Sequence, residues 1–239
     1  MLVPWEKLLP ALRTEAVRPY YDALARRRGQ LFWKRCFDIA AAFLGILLTA
    51  PLCLILAVWI VLDSPGTPIF RQERVTANGK RFRIHKFRSM TVSRNGQGSS
   101  VTTSMDTRIT RAGRLMRRFH LDEIPQLIDI LGGNMTFVGT RPEVPEFVDA
   151  YTPEMYATLL LPAGLTSEAS IRFQDEAEML GAQEDADTAY IRVLLPEKMK
   201  VNLQQLALFS LRNDWRCLVH TLTGMGRSRR ERVMRENRA

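Results

Sequence analysis

What most constrains this chain is an apolar run from Ile39 to Leu62, IAAAFLGILLTAPLCLILAVWIVL, whose 24 residues carry no ionisable group other than Cys53. A proline, Pro51, stands at its middle. As one straight helix the run is roughly 36 Å long, more than the ~30 Å hydrocarbon core of a bilayer. Divided at Pro51 it gives pieces of roughly 18 and 16 Å, each reaching about half-way. Proline removes a backbone donor and clashes with the preceding turn, so a break is expected at Ala50-Pro51. Basic residues flank both ends: Arg26, Arg27, Arg28, Lys34 and Arg35 before, and Arg71, Arg74, Lys80, Arg81 and Arg83 after. A spanning helix carries such residues near its cytoplasmic end only. Two paths stay open, a segment that dips into one leaflet and returns, and a kinked spanning helix. In either, Pro51 deprives the Leu47 carbonyl of its partner, and Thr49, one turn after Gly45, is placed to bond back to a carbonyl.

At 239 residues the chain accommodates one domain plus a membrane element. Its net charge of +9 suits anionic lipid head groups, phosphorylated substrates or nucleic acid, and the apolar run favours the first two. The residues before the run do not read as a signal peptide. Cys36, Cys53 and Cys217 are odd in number and widely spaced, which fits buried thiols in a reducing compartment.

Residues 1–33 read as an interfacial segment interrupted by Pro4, Pro10 and Pro19, and residues 34–63 as a membrane hairpin. Residues 64–226 read as the main domain and residues 227–239 as a basic tail, with six arginines against two glutamates. Thr67–Arg74 and Lys80–Phe87 are expected to be strands joined across Asn78-Gly79. Thr91–Thr107, rich in Ser, Thr, Gly and Asn, reads as a surface loop. Arg108–His120 reads as a basic amphipathic helix suited to an anionic surface, or equally as a helix over a core. A further helix covers Ile124–Leu131 and stops at Gly132-Gly133. Helical patterns recur over Glu143–Leu161 and Pro196–Gly224. The fold class is α+β and helix-rich.

Asp122 and Glu123 stand between two of these helices. Pro125 belongs in a first helical turn, which makes Asp122 an N-cap and Glu123 the first helical residue. Carboxylates there meet the positive end of a helix dipole and donors suited to phosphate. Adjacent side chains diverge by about 100°, so one carboxylate can attack while the other holds a metal ion. An aspartate at an N-cap is, however, most often only a cap. Lys86 and Arg88 end the second strand, and Arg141-Pro142 follows Gly139; these cations suit a diphosphate, although each alone is commonly a solvated charge. No Walker or dinucleotide motif is present, and His85, His120 and His220 have no metal spacing.

These residues sit in motifs that resemble the bacterial sugar transferases, the monotopic polyprenol-phosphate phosphoglycosyl transferases, over about Lys34 to Gly224. The carriers are Lys34-Arg35-Cys36-Phe37-Asp38, Thr67-Pro68-Ile69-Phe70-Arg71-Gln72 and Lys86-Phe87-Arg88-Ser89-Met90. They continue in Thr110-Arg111-Ala112-Gly113-Arg114, Leu121-Asp122-Glu123-Ile124-Pro125-Gln126-Leu127 and Met135-Thr136-Phe137-Val138-Gly139-Thr140-Arg141-Pro142. The resemblance implies a re-entrant helix broken at Pro51, with both flanks on the cytoplasmic side of the bacterial inner membrane. It implies Asp122 as nucleophile, Glu123 as a Mg²⁺ ligand, and Lys86 and Arg141 on phosphate. The implied reaction moves a sugar 1-phosphate from a UDP-sugar to a polyprenol phosphate, releasing UMP and starting a glycan. Membrane lipids and a second copy of the chain are further candidate partners, and nucleic acid is not expected. Three positions depart from the family pattern: Ala50 for serine, Asn134 for aspartate and Thr140 for proline. Leu161–Gln174 also differs, in a region that bears on the sugar pocket. The rival expectation is a non-enzymatic bitopic adaptor with a spanning helix and a basic partner-binding domain.

Overall fold

The computed structural model describes residues 1–91, 106–174, 176, 180 and 185–236, the last twelve by backbone alone. Helix α1 is Arg18–Ala25, and α2, Arg28–Asp63, carries the apolar run. Only 11% of the most apolar stretch of α2 is buried, and the helix is long and apolar enough to cross a membrane. Helical geometry continues through Ala50-Pro51, so the expected helix-break-helix becomes a single helix with a proline inside it. The reason is local. Proline's fixed φ is itself helical, so the backbone keeps helical dihedrals through it. Thr49 Oγ1 donates to the Gly45 carbonyl at 2.7 Å, one turn back.

One edge of α2 is buried in two stretches, Leu31–Ala42 and Leu56–Ile60, with no buried residue between them. Leu31, Lys34, Asp38, Ala42, Leu56 and Ile60 recur at helical spacing and face the rest of the chain. Ala42 packs with Phe82, Ile84, Ile130 and Met135, and a side chain at Gly45 would press on Leu127. Leu56 and Ile60 pack on Phe87, Ala112 and Met116. Both ends of the apolar run therefore lie against the same body.

Strands β1 (Ile69–Val75) and β2 (Arg81–Phe87) pair antiparallel, Ile69 opposite Phe87 and Val75 opposite Arg81. Asn78 and Gly79 close the turn at φ 55° and 68°, where asparagine and glycine are tolerated best. Helices α3 (Arg111–Arg118) and α4 (Gln126–Leu131) follow, then β3 (Met135–Val138) and α5 (Pro145–Val148). Strand β4 (Ala163–Thr166) lies parallel to β3. A Cβ on Gly164 would collide with the Gly139 backbone, so the turn after β3 and strand β4 approach closely. Helices α6 (Glu168–Arg172), α7 (Ala186–Ala189), α8 (Leu195–Ala207) and α9 (Leu211–Glu236) complete the chain.

The N-terminal segment departs from the interfacial expectation. Leu8, Leu12, Val17 and Leu24 are buried in the main core with Phe147, Leu160, Leu195 and Met199. Its prolines begin short helical turns and leave the apolar residues free to dock. The basic tail begins within α9, whose backbone is helical to Glu236. Most of the Thr91–Thr107 loop, residues 92–105, lies outside the described residues.

Candidate active site

The acidic pair is built on the turn that leaves α3. The Thr110 side chain caps α3 by accepting from the Gly113 N–H at 2.9 Å, and Ala112 and Met116 bury against α2. Gly113 is required by close approach, since a Cβ there would strike the Ser89 carbonyl. Leu115 and Phe119 remain 41% and 40% exposed, so α3 packs with one face and offers a mixed apolar and basic face outward. His120, at φ 53°, then turns the chain into the tight helical turn Leu121–Glu123.

Asp122 is not an N-cap. A cap accepts from the second or third following residue, and here the third is Pro125, which has no N–H. The second, Ile124, donates to the Leu121 carbonyl instead. The Asp122 carboxylate is thus spared from capping. The residue is 8% exposed, and among the described residues no hydrogen bond reaches its carboxylate. Burial pushes its pKa up, and neighbouring Glu123 adds to this; Lys86, Arg117 and His120 pull it partly back.

Glu123 stands in the opposite situation. Burial alone would raise its pKa, but Arg141 and Lys86 prevail and hold it well below the usual carboxylate range. Arg141 grips both oxygens, Nη1 to Oε2 at 3.1 Å and Nη2 to Oε1 at 2.6 Å, and Lys86 Nζ reaches Oε1 at 2.9 Å. Arg141 also donates to the Leu165 carbonyl of β4 at 2.7 Å, so the β3–β4 pairing orients the clamp. Lys86 is the penultimate residue of β2, which is tied to α4 by Asp129: that carboxylate accepts from the His85 N–H at 2.8 Å and pairs with its Nδ1 at 2.8 Å.

Lys86, Asp122, Glu123 and Arg141 are therefore brought together. Arg88 is not with them. Its guanidinium, 4% exposed, donates to the Pro65 carbonyl at 2.6 Å and the Ser64 carbonyl at 2.5 Å, closing the end of α2. A phosphate-binding expectation for Arg88 is corrected on that ground: its Nη1 and Nη2 are taken by the carbonyls just past α2. Pro142 is buried and has no N–H for an anion; its carbonyl accepts from Arg74 at 3.0 Å. Sequence reasoning missed Arg117, whose guanidinium bonds Ser89 Oγ at 2.9 Å and Met90 Sδ at 3.0 Å and acts on Asp122. It lay among the arginines of a helix that suited an anionic surface or a core equally, with no sequence signal to single it out. Asp129 was missed too, although an acid within an apolar helical stretch was a usable signal.

Two adjacent carboxylates, one saturated by cations and one not, are a chemistry for phosphorylated groups: cations for the phosphate, and an available carboxylate beside them. The donor set also fits Mg²⁺, in one form only. Among the described residues no three acidic, His or Cys side chains converge as a metal cage, but one or two carboxylates shared with substrate phosphates is the usual magnesium arrangement.

Fold and site define an α+β protein that places an acidic pair and its cation clamp beside an exposed apolar helix. Comparison makes this specific: the chain belongs to the bacterial sugar transferase family, which matches residues 29–228. It is 38% identical to the Aeromonas hydrophila UDP-N-acetylgalactosamine-undecaprenyl-phosphate N-acetylgalactosaminephosphotransferase, over 68% of this chain and 37% of that protein. It is 33% identical to a Caulobacter vibrioides UDP-glucose:undecaprenyl-phosphate glucose-1-phosphate transferase, over 80% of this chain and 69% of that protein. A protein of the same name from Escherichia coli is 36% identical, over 74% of this chain and 39% of its own length. The chain thus spans well under half of the Aeromonas and Escherichia coli relatives.

Proposed function

We propose that this chain transfers a sugar 1-phosphate from a UDP-sugar to a polyprenol phosphate at the cytoplasmic face of the bacterial inner membrane. The observation that carries the proposal is the pairing of Asp122, free of hydrogen-bond partners among the described residues, with Glu123, held by Arg141 and Lys86. Asp122 attacks the sugar-bearing phosphorus, the bond from that phosphorus to the bridging oxygen breaks, and UMP leaves with its electron pair. An oxygen of the polyprenol phosphate then attacks the same phosphorus, restoring the Asp122 carboxylate and yielding the polyprenyl diphosphosugar. Arg141 and Lys86 offset phosphate charge as it approaches, and Lys86 and Arg117 partly counter the rise in pKa that burial imposes on Asp122. Mg²⁺, held by Glu123 together with substrate phosphate, would supply further neutralisation of the diphosphate.

A re-entrant path for α2 fits this reaction better than a single crossing. Lys34, before the apolar run, pairs with Asp214, and Arg88 binds the carbonyl of Ser64, after it. One body contacts both ends, which supports two flanks on one side of the membrane. A soluble nucleotide sugar and a lipid phosphate then meet at one interface. The bitopic adaptor would put those ends on opposite sides.

The test is UMP release by the full chain in lipid nanodiscs, with polyprenol phosphate, Mg²⁺ and a panel of UDP-sugars. Release that depends on both the lipid phosphate and one UDP-sugar is expected. No UMP with any member of the panel would sink the proposal.

A further inference from the structure

Two residues past Arg141 begins a string of buried polar groups that the proposed chemistry does not use. Glu143 is 7% exposed, and its Oε1 accepts from the Tyr190 hydroxyl at 2.6 Å. That hydroxyl accepts in turn from Lys198 Nζ at 3.0 Å, and Lys198 pairs with Glu176 at 2.8 Å. Tyr190 and Lys198 are 4% and 6% exposed. An apolar filling of similar volume is often no less stable than buried charge, so a string kept in the core invites a reason beyond stability. Tyr190 also opens a π-helical turn, Tyr190–Leu194, between α7 and α8, and such widened turns are frequent at functional sites. Its ring stacks on Phe147 of α5, with centroids 4.8 Å apart.

We propose that Glu143, anchored by Tyr190 and Lys198, is the positioning residue for Arg141, fixing its grip on Glu123 and its aim at the diphosphate of a nucleotide sugar. The proposal rests on the function proposed above. Backbone geometry is its first support. Arg141 lies in a segment fastened at both ends. On the β4 side the Gly139 N–H donates to the Thr166 carbonyl at 2.9 Å, and the Thr140 carbonyl accepts from the Gly164 N–H at 2.7 Å. On the β1 side the Glu143 carbonyl accepts from the Val75 N–H at 3.0 Å. Glu143 is thus the residue at which this second fastening is made, and its side chain pegs it to Tyr190.

Charge is the second support. Arg74 donates to the carbonyl of Pro142, which stands between Arg141 and Glu143, and its buried Nε has no hydrogen-bond partner among the described residues. Burial pushes the Arg74 pKa down, and of the charges around it Glu143 does most to restore it, while Arg141 opposes and Glu123 assists. Two guanidiniums therefore feel the field of Glu123, yet Arg141 alone of the two grips it. Glu143 supplies the other carboxylate, so Arg74 is not drawn into competition for Glu123. The peg and the counter-charge act on the same segment, and both serve the orientation of Arg141.

A double-mutant cycle on the full chain in lipid nanodiscs tests this, reading UMP release at varied UDP-sugar with polyprenol phosphate and Mg²⁺. Tyr190→Phe keeps the ring that stacks on Phe147 and deletes the hydroxyl that links Glu143 to Lys198. Alone, it is expected to lower kcat/KM for the UDP-sugar about tenfold, since small misplacements of a positioned group carry losses of that order. In an Arg141→Lys chain the same change is expected to cost under about twofold, because the grip that it serves is already lost. Equal losses in the two backgrounds would mean that the string supports the fold as a whole, and would overturn the proposal. An unchanged kcat/KM in Tyr190→Phe alone would overturn it too. Glu143→Gln retains an acceptor for the Tyr190 hydroxyl and removes the charge that acts on Arg74. It is carried through the same cycle with the same expectation, and it decides the matter if Tyr190→Phe shows no cooperative melting. A wild-type chain that releases no UMP would remove the underlying function, and the proposal with it. An active wild type with equal losses in both backgrounds removes the positioning role alone.

Discussion

The α3 side of the site and the strand side receive one carboxylate each from consecutive residues, and they treat them differently. On the α3 side, Asp122 sits under burial with Arg117 near it but no hydrogen bond among the described residues, and its pKa is pushed up. On the strand side, Glu123 is gripped by Arg141 and Lys86 and held ionised. The same functional group is left without a hydrogen-bond partner among the described residues in one surrounding and is clamped as a counter-ion in the other. Surroundings set the difference, since the paired cations hold Glu123 ionised while burial works against the charge on Asp122.

The largest effect that sharpens this contrast is Asp122→Asn. Loss of the attacking oxygen is expected to reduce UMP release by on the order of 10⁵-fold and to abolish any phosphosugar adduct on the protein. The variant should nevertheless melt at a higher temperature than wild type at pH 7, because a destabilised buried charge is gone. Near-normal turnover in this variant would break the assignment of roles. Arg141→Lys comes next. A lysine keeps the charge but loses the two-pronged grip on Glu123, and turnover is expected to fall about 10²-fold. An unchanged rate would mean that charge alone suffices.

Glu123→Gln acts mainly on the fold. It strips the counter-ion from two cations that are only about one-third and one-quarter exposed, 32% and 24%. Stability should fall by roughly 2–3 kcal/mol, short of the roughly 3–5 kcal/mol of a fully buried pair because Arg141 and Lys86 keep some water. The Mg²⁺ titration of activity should flatten in the same variant. Chemical denaturation and a metal titration read the two separately, and an unshifted titration would remove Glu123 from the metal role.

Much of this contrast could be read from the chain, and the part that could not has a common cause. The β1–β2 hairpin was legible because Asn78-Gly79 satisfies a local turn requirement, and Lys86, Asp122, Glu123 and Arg141 because their motifs are contiguous. Thr49 was legible because its acceptor, the Gly45 carbonyl, is one turn away. What failed depended on partners far off in sequence or on which donor was already taken. Arg88 looked like a phosphate ligand until the carbonyls after α2 claimed it. Lys34 looked like a flanking charge, yet its partner Asp214 is 180 residues away. Residues 1–33 looked interfacial because their apolar positions are sparse, and only the assembled core offers those positions a seat.

The smallest effect is the most discriminating, because it asks the two carboxylates for opposite signs. Glu123 has a folded-state pKa below its ordinary value of 4.5, so its contribution to stability is present above that value and is lost as pH falls through the depressed one. Asp122 has a folded-state pKa above its ordinary 3.8, so ionisation penalises the fold as pH rises through that raised value, and the penalty is absent below 3.8. Melting curves of wild type, Asp122→Asn and Glu123→Gln between acid and neutral pH should therefore diverge. At neutral pH the Asn variant lies above wild type and the Gln variant below, by about 2–4 °C for each kcal/mol in a chain of this size. Towards acid both gaps close, the Asn gap first, since the raised pKa of Asp122 is crossed before the depressed one of Glu123. A Gln variant whose deficit closed first would place the ion-paired carboxylate on the α3 side and reverse the comparison.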